Sequence, residues 1–214
     1  MKIPVVVMLV ATLTLAACGG GGGSSSPPVI VTQILSDPVY DGDIALNMSG
    51  VYTLAQSNTQ SVFAGIDPAT GTEYRAFLDF PLGGPGGVPL NAGIDSATLD
   101  IFIVDIQPLT GTIPIRIDLV SFQPPWLQVS DFSLAGQPAL ATITFPIYQT
   151  DFGNHVPVDV TFLMREAQRL GLPDFQVRIM EDLGPVVPGL IEIDDTTIPA
   201  DRPIFAPLLE VAYY

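Results

Sequence analysis

The chain is poor in the residues that most often carry chemistry. Its 214 residues include one cysteine (Cys18), one histidine (His155), one tryptophan (Trp126) and one lysine (Lys2). A lone cysteine excludes a disulfide within the chain. A lone histidine, in the turn DFGNHVP, would have to serve any Ser–His or Cys–His nucleophile by itself. No G-x-S-x-G elbow and no H-E-x-x-H pair occurs. Basic side chains are scarce as well: seven Lys and Arg stand against 22 Asp and Glu, a formal charge of −15. Such a chain is repelled by nucleic acid and by anionic lipid headgroups. Charged residues make up only 14% against 48% hydrophobic, which excludes a disordered acidic tail. No apolar run reaches the roughly 20 residues of a bilayer-spanning helix.

What is present begins with Met1-Lys2 and the apolar run Ile3–Leu15, the order of a secretory signal. Leu15-Ala16-Ala17-Cys18 follows and resembles the lipobox of bacterial lipoproteins. That resemblance implies cleavage before Cys18, acylation of its thiol and anchoring of the chain to a membrane. Two or three acyl chains hold stably where one is marginal. Gly19, where an Asp would retain a lipoprotein at the inner membrane, implies outer-membrane delivery, facing the periplasm or the cell surface. Gly19–Pro28 reads GGGGGSSSPP and has no side chains able to build a core. Ten such residues span on the order of 17 Å. The expected organisation is a signal over 1–17, an acylated Cys and tether over 18–28, and one domain over 29–214. Without Lys2 the mature chain carries six arginines against 22 acids.

Within the domain a period of two dominates. In SATLDIFIVDI, Ala97, Leu99, Ile101 and Ile103 share one face; in IPIRIDLVSF, Ile113, Ile115, Ile117 and Leu119 do. EYRAFLDF sets Tyr74, Ala76, Leu78 and Phe80 against Arg75, Phe77 and Asp79, and DFQVRIMED repeats the pattern. These are half-buried strands, and Pro114 suggests that its strand lies at an edge. TFLMREAQRLGLP departs from the pattern: Leu163, Ala167 and Leu170 have helical spacing. Thr161 is placed to cap that helix, and Gly171 and Pro173 to end it. With 20 Gly and 21 Pro spread through the chain, the expected fold is all-β. It is a two-sheet, jelly-roll-like sandwich with one short helix over about 161–170.

The order of these elements resembles DNRLRE-type domains. The resemblance runs through Arg75 and Phe80, then Ile94, Ser96, Ala97 and Leu99, then Val158–Thr161, and finally Arg202, Pro203, Leu209, Val211 and Tyr213. It covers roughly Asp37–Tyr214. It implies a β-sandwich of secreted and envelope proteins, with members similar to carbohydrate-binding modules, including alginate binders. Gln128 replaces the acid that usually follows the family's turn tryptophan by two positions. A mature chain without lysine is also a poor receptor for a polyanion, so a neutral glycan, or an anionic one bridged by Ca²⁺, is expected.

Trp126, in FQPPWLQVS, is either a stacking platform for sugar or a plug over the sandwich edge. Asp37, Asp41 and Asp43 cluster about a Gly turn, and Glu192, Asp194 and Asp195 form a second acidic group. Such groups supply oxygens for a structural Ca²⁺ or simply face solvent. No catalytic constellation emerges. The expected function is a non-enzymatic, membrane-anchored lipoprotein that binds a glycan. The alternatives are a structural or adhesion component with a protein partner and, behind it, a polysaccharide-acting enzyme.

Overall fold

The computed structural model describes residues 28–108, 111–123, 125–182, 184 and 187–214. The signal-like run, Cys18 and the glycine-serine part of the tether lie outside them. The described chain is mostly β. In order it forms β1 (Ile30–Leu35), β2 (Gly42–Leu46), β3 (Tyr52–Gln56), β4 (Ser61–Ile66), β5 (Glu73–Pro81) and β6 (Ile94–Gln107). Then come β7 (Thr112–Val120), β8 (Ala141–Tyr148), β9 (His155–Asp159), helix α1 (Thr161–Leu170), β10 (Asp174–Glu181), β11 (Leu190–Asp194), the single turn α2 (Arg202–Phe205) and β12 (Leu208–Tyr213).

All pairings are antiparallel, in the order β1-β12-β6-β11-β4-β5-β10-β7-β8, with β2–β3 attached to β5 and β9 to β6. Strand β6 is 14 residues long and turns the corner. Its first part pairs with β12 and β9 and its second with β11. The sheet therefore curls until its two ends face each other. Leu99, Ile101 and Val211 from one layer meet Leu78, Phe80, Ile117 and Val177 from the other in a single core. Each large apolar side chain buried there contributes about 1.5–3 kcal/mol relative to exposure.

The all-β fold and the helix match expectation, α1 beginning at Thr161 and ending on Gly171 in the left-handed region (φ 65°). Two local readings change. The Thr161 hydroxyl is no cap; it accepts the Ala97 N–H at 2.9 Å and stitches α1 to β6, while Asp159 Oδ1 accepts the Thr161 N–H at 2.9 Å. Pro114 does not mark an edge either, because β7 pairs with both β10 and β8. It lies opposite Pro146 of β8, the true edge, so two donorless residues share one position of the ladder.

One face expected to be solvated is buried. β10 alternates Phe175, Val177 and Ile179 toward the main core with Gln176, Arg178 and Met180, and all six are inaccessible. The segment 125–140 crosses that second face. Phe122, Leu127 and Phe132 form a smaller core there with Ile44, Phe77 and Val120.

Candidate functional site

The β2–β3 ribbon has two unlike faces. Its register sets Asp43 opposite Ala55, Ile44 opposite Leu54 and Ala45 opposite Thr53. Ile44 turns into the smaller core. Asp43, Ala45, Thr53 and Ala55 instead line a groove closed on its other side by Ser61, Phe63, Thr72 and Tyr74. The small residues of the ribbon leave the space open. Its volume is about 420 Å³, within the range of small-molecule sites.

The far wall is set by the β4–β5 hairpin. Asp67 starts its turn by accepting the Ala69 N–H at 2.8 Å and the Thr70 hydroxyl at 2.6 Å, and these bonds hold its carboxyl below the usual range. The hairpin brings Phe63 and Tyr74 together, ring centroids 5.6 Å apart and planes inclined at 51°. Hydroxyls surround the pair. Ser61 donates to Glu192 Oε1 on β11 at 2.6 Å.

At the inner end stands Asp43, 6% exposed. Its Oδ2 accepts one long bond from the Phe63 N–H at 3.3 Å. Burial pushes its carboxyl up to about 6, the bond from Phe63 opposing only in part. Burial, then the charges of Asp43 and Asp67, push the Tyr74 hydroxyl up as well. No Arg lines the groove. The nearby Arg75 lies on the other face of β5, where it pairs with Glu73 at 2.6 Å and donates to the Phe132 carbonyl.

The three expected Ca²⁺ ligands are separated. Asp37 closes its own turn by accepting the Val39 N–H at 2.9 Å. Asp41 accepts the Asp79 N–H at 2.7 Å, and Asp43 opens into the groove. Among the described residues no group of three or more His, Cys, Asp or Glu is gathered to hold a metal ion. Two members of the separate acidic stretches do meet: Asp41 lies against Asp195. Asp194 Oδ1 caps the Thr196 N–H at 2.7 Å.

Trp126 is 48% exposed and stands edge-on to Tyr40, centroids 5.3 Å apart. The Gln56 side chain fixes its loop, donating to the Tyr40 and Pro125 carbonyls and accepting the Leu127 N–H. It is neither a full core plug nor part of the groove. His155 is exposed and bonded through Nδ1 to Asp100 Oδ2 at 2.9 Å, its ring against Phe102.

Sequence reasoning missed Phe63, Tyr74, Thr53 and Ser61. The available signal was weak: two short runs rich in Ala, Thr and Ser that alternate beside an aspartate. No protein-family model matches the chain, and a comparison with curated proteins finds no match either.

Proposed function

We propose that this chain is a membrane-anchored, non-enzymatic envelope lipoprotein whose sandwich binds a glycan in the groove between the β2–β3 and β4–β5 hairpins. The observation that carries this reading is the Phe63–Tyr74 pair set among hydroxyls with one buried carboxylate at its end. Aromatic faces receive the apolar face of a pyranose ring, and hydroxyls and a carboxylate answer its hydroxyl groups. The lipobox at Cys18 supports anchoring at the outer membrane, and the strand order resembling DNRLRE-type domains supports a glycan as ligand. The net charge of −15 disfavours an anionic polymer unless Ca²⁺ bridges it.

The test is calorimetric titration of the full chain, in mild detergent, with neutral and anionic oligosaccharides with and without Ca²⁺. Saturable binding that Phe63→Ala weakens at least roughly tenfold, about 1.4 kcal/mol, supports the reading. No binding by any sugar, with the fold intact by circular dichroism, rejects it.

A protein partner is the second reading, favoured by a separate patch. Phe102 packs edge-on against both Phe205, centroids 4.9 Å apart, and His155, while Phe152 and Ile204 are exposed. Co-purification of one stoichiometric partner, lost on Phe205→Ala, would favour it.

A further inference from the structure

We propose that the groove recognises a protonated amino sugar, its ammonium group on the Asp43 carboxylate and its ring face on the Phe63–Tyr74 pair. This rests on the glycan reading above and narrows it to one charge class.

Asp43 is the first reason. A carboxylate withdrawn from water needs hydrogen bonds or a counter-charge to remain ionised. Asp43 is more than nine-tenths buried, yet its one bond within the described residues is the long one from Phe63. The side chain faces the open groove, where a ligand cation can reach it. A charged donor would supply both the counter-charge and the short hydrogen bond that the protein withholds.

The second reason is the sign of the surroundings. Asp67 lies close enough to raise the Tyr74 hydroxyl by its charge, and Glu192 accepts from Ser61 in the groove wall. The basic residue beside Tyr74 in sequence, Arg75, is turned away and already paired. A neutral sugar gains little from this field, and an anionic one is repelled by it.

The third is the wall itself. Phe63 and Tyr74 accept a cation at their faces and also offer the flat surface that a pyranose ring fills. A lysine side chain or a polyamine carries the same primary ammonium without the ring. The shared chemistry is the ammonium group, and the wall selects the sugar.

Calorimetry of the full chain near neutral pH should compare four probes: a glucosamine oligomer, the N-acetylglucosamine oligomer of the same length, a glucose oligomer and spermidine. The glucosamine oligomer should bind at least roughly tenfold tighter than the other three, and the preference should shrink with added salt. Asp43→Asn, which keeps the shape and the acceptor for the Phe63 N–H, should erase the preference while retaining weak sugar binding. Phe63→Ala should weaken all the sugars. Equal affinity for the glucosamine, acetylated and glucose oligomers overturns the amino-sugar inference and leaves the glycan reading standing. Spermidine binding as tightly as the glucosamine oligomer overturns the amino-sugar inference, and the absence of binding by any sugar overturns both. Should Asp43→Asn lose its fold by circular dichroism, the salt titration of the unaltered chain decides: a preference unmoved by salt overturns the ion pair.

Discussion

Asp118 on β7 and Arg178 on β10 face each other across the sheet, Oδ2 to Nη2 at 2.7 Å, both side chains wholly withdrawn from solvent. The pair is the centre of a network. Asp118 Oδ1 also accepts from Arg116 Nε and the Thr142 hydroxyl, each at 2.7 Å. Arg178 Nη1 donates to the Asp131 and Gln137 carbonyls at 3.1 and 3.0 Å. The segment 125–140, which has little regular structure, is thus fastened by arginines rising through the sheet from beneath it. Burial alone would raise the Asp118 carboxyl, but the bonds from Arg178, Thr142 and Arg116 outweigh it and hold it below its usual range.

Arg178→Met should therefore destabilise the domain by about 3–5 kcal/mol, because it leaves the Asp118 charge buried with too few partners. Replacing both, as Asp118→Leu with Arg178→Met, should cost less than Arg178→Met alone. Urea unfolding followed by circular dichroism measures the difference. A single variant as stable as the parent would refute the network's role.

The pH dependence of stability should be unusual in sign. Burial, then the charge of Asp195, raises the Asp41 carboxyl, and burial likewise raises Asp195. Among the described residues Asp41 Oδ2, Asp195 Oδ1 and the Ser36 hydroxyl are buried without a hydrogen bond, the Arg202 guanidinium standing 3.7 Å from Asp195 Oδ1. One shared proton turns one carboxyl into a donor to the other, and this is the arrangement that burial favours. Burial also raises Asp43 and Asp79 to about 6 and Glu181 to about 7.

Each of these groups has a folded pKa above its unfolded one. Its contribution is full below the unfolded value and is lost as pH rises through the folded value. The melting temperature should fall between about pH 5 and pH 8, as thermal scans at several pH values would show. Asp118, depressed, acts oppositely: its contribution is present above the unfolded value near 4 and is lost as pH falls through the lower folded one. Asp195→Asn should flatten the decline above about pH 5. A melting temperature that rises over the same range would refute the protonated pair.

The strands and α1 were legible because their signal is local. Period-two runs such as Leu99, Ile101 and Ile103 record a core face, and Gly171 records the left-handed residue at a helix end. The second buried face was not legible. Asp79, Asp118, Gln176 and Arg178 occupy the polar half of the alternation, which reads as solvent. The covering segment 125–140 reveals Asp118 and Arg178 as internal partners, and the Asp37–Asp41 turn and Phe122 do the same for Asp79 and Gln176. The groove was hidden for a related reason: Asp43, Phe63 and Tyr74 converge through strand pairing rather than spacing. The same holds for Asp41 and Asp195, which were visible only as members of two unrelated acidic stretches.

The β4–β11 contact gives a sharper test of the fold. Gly65 sits at φ +117°, and a Cβ there would lie 2.0 Å from the Gly189 carbonyl oxygen. Neither backbone can yield without breaking the pairing of Leu190 with Gly65. Gly65→Ala should destabilise the domain by roughly 2–4 kcal/mol, through strained dihedrals and the clash together. Gly50→Ala, also at positive φ but with no neighbour within 4 Å, should cost only about 1 kcal/mol. Equal effects at both positions would show that close approach of the backbones contributes nothing.

The proposed anchoring at Cys18 can be tested separately from folding. The domain core draws on residues from Ile34 onward, well beyond Cys18 and the GGGGGSSSPP stretch. Loss of the Cys18 thiol should therefore remove acylation and leave the fold intact. In a bacterial host the parent chain should fractionate with membranes, and its mature N-terminal peptide should carry the mass of two or three acyl chains on Cys18. Cys18→Ser should be released to the soluble fraction or held with its signal uncleaved, while its thermal unfolding matches that of the detergent-extracted parent. An unmodified Cys18 in a membrane-bound parent would mean that something other than lipid holds it there, and would move attention to the Phe102–Phe205 patch as the contact.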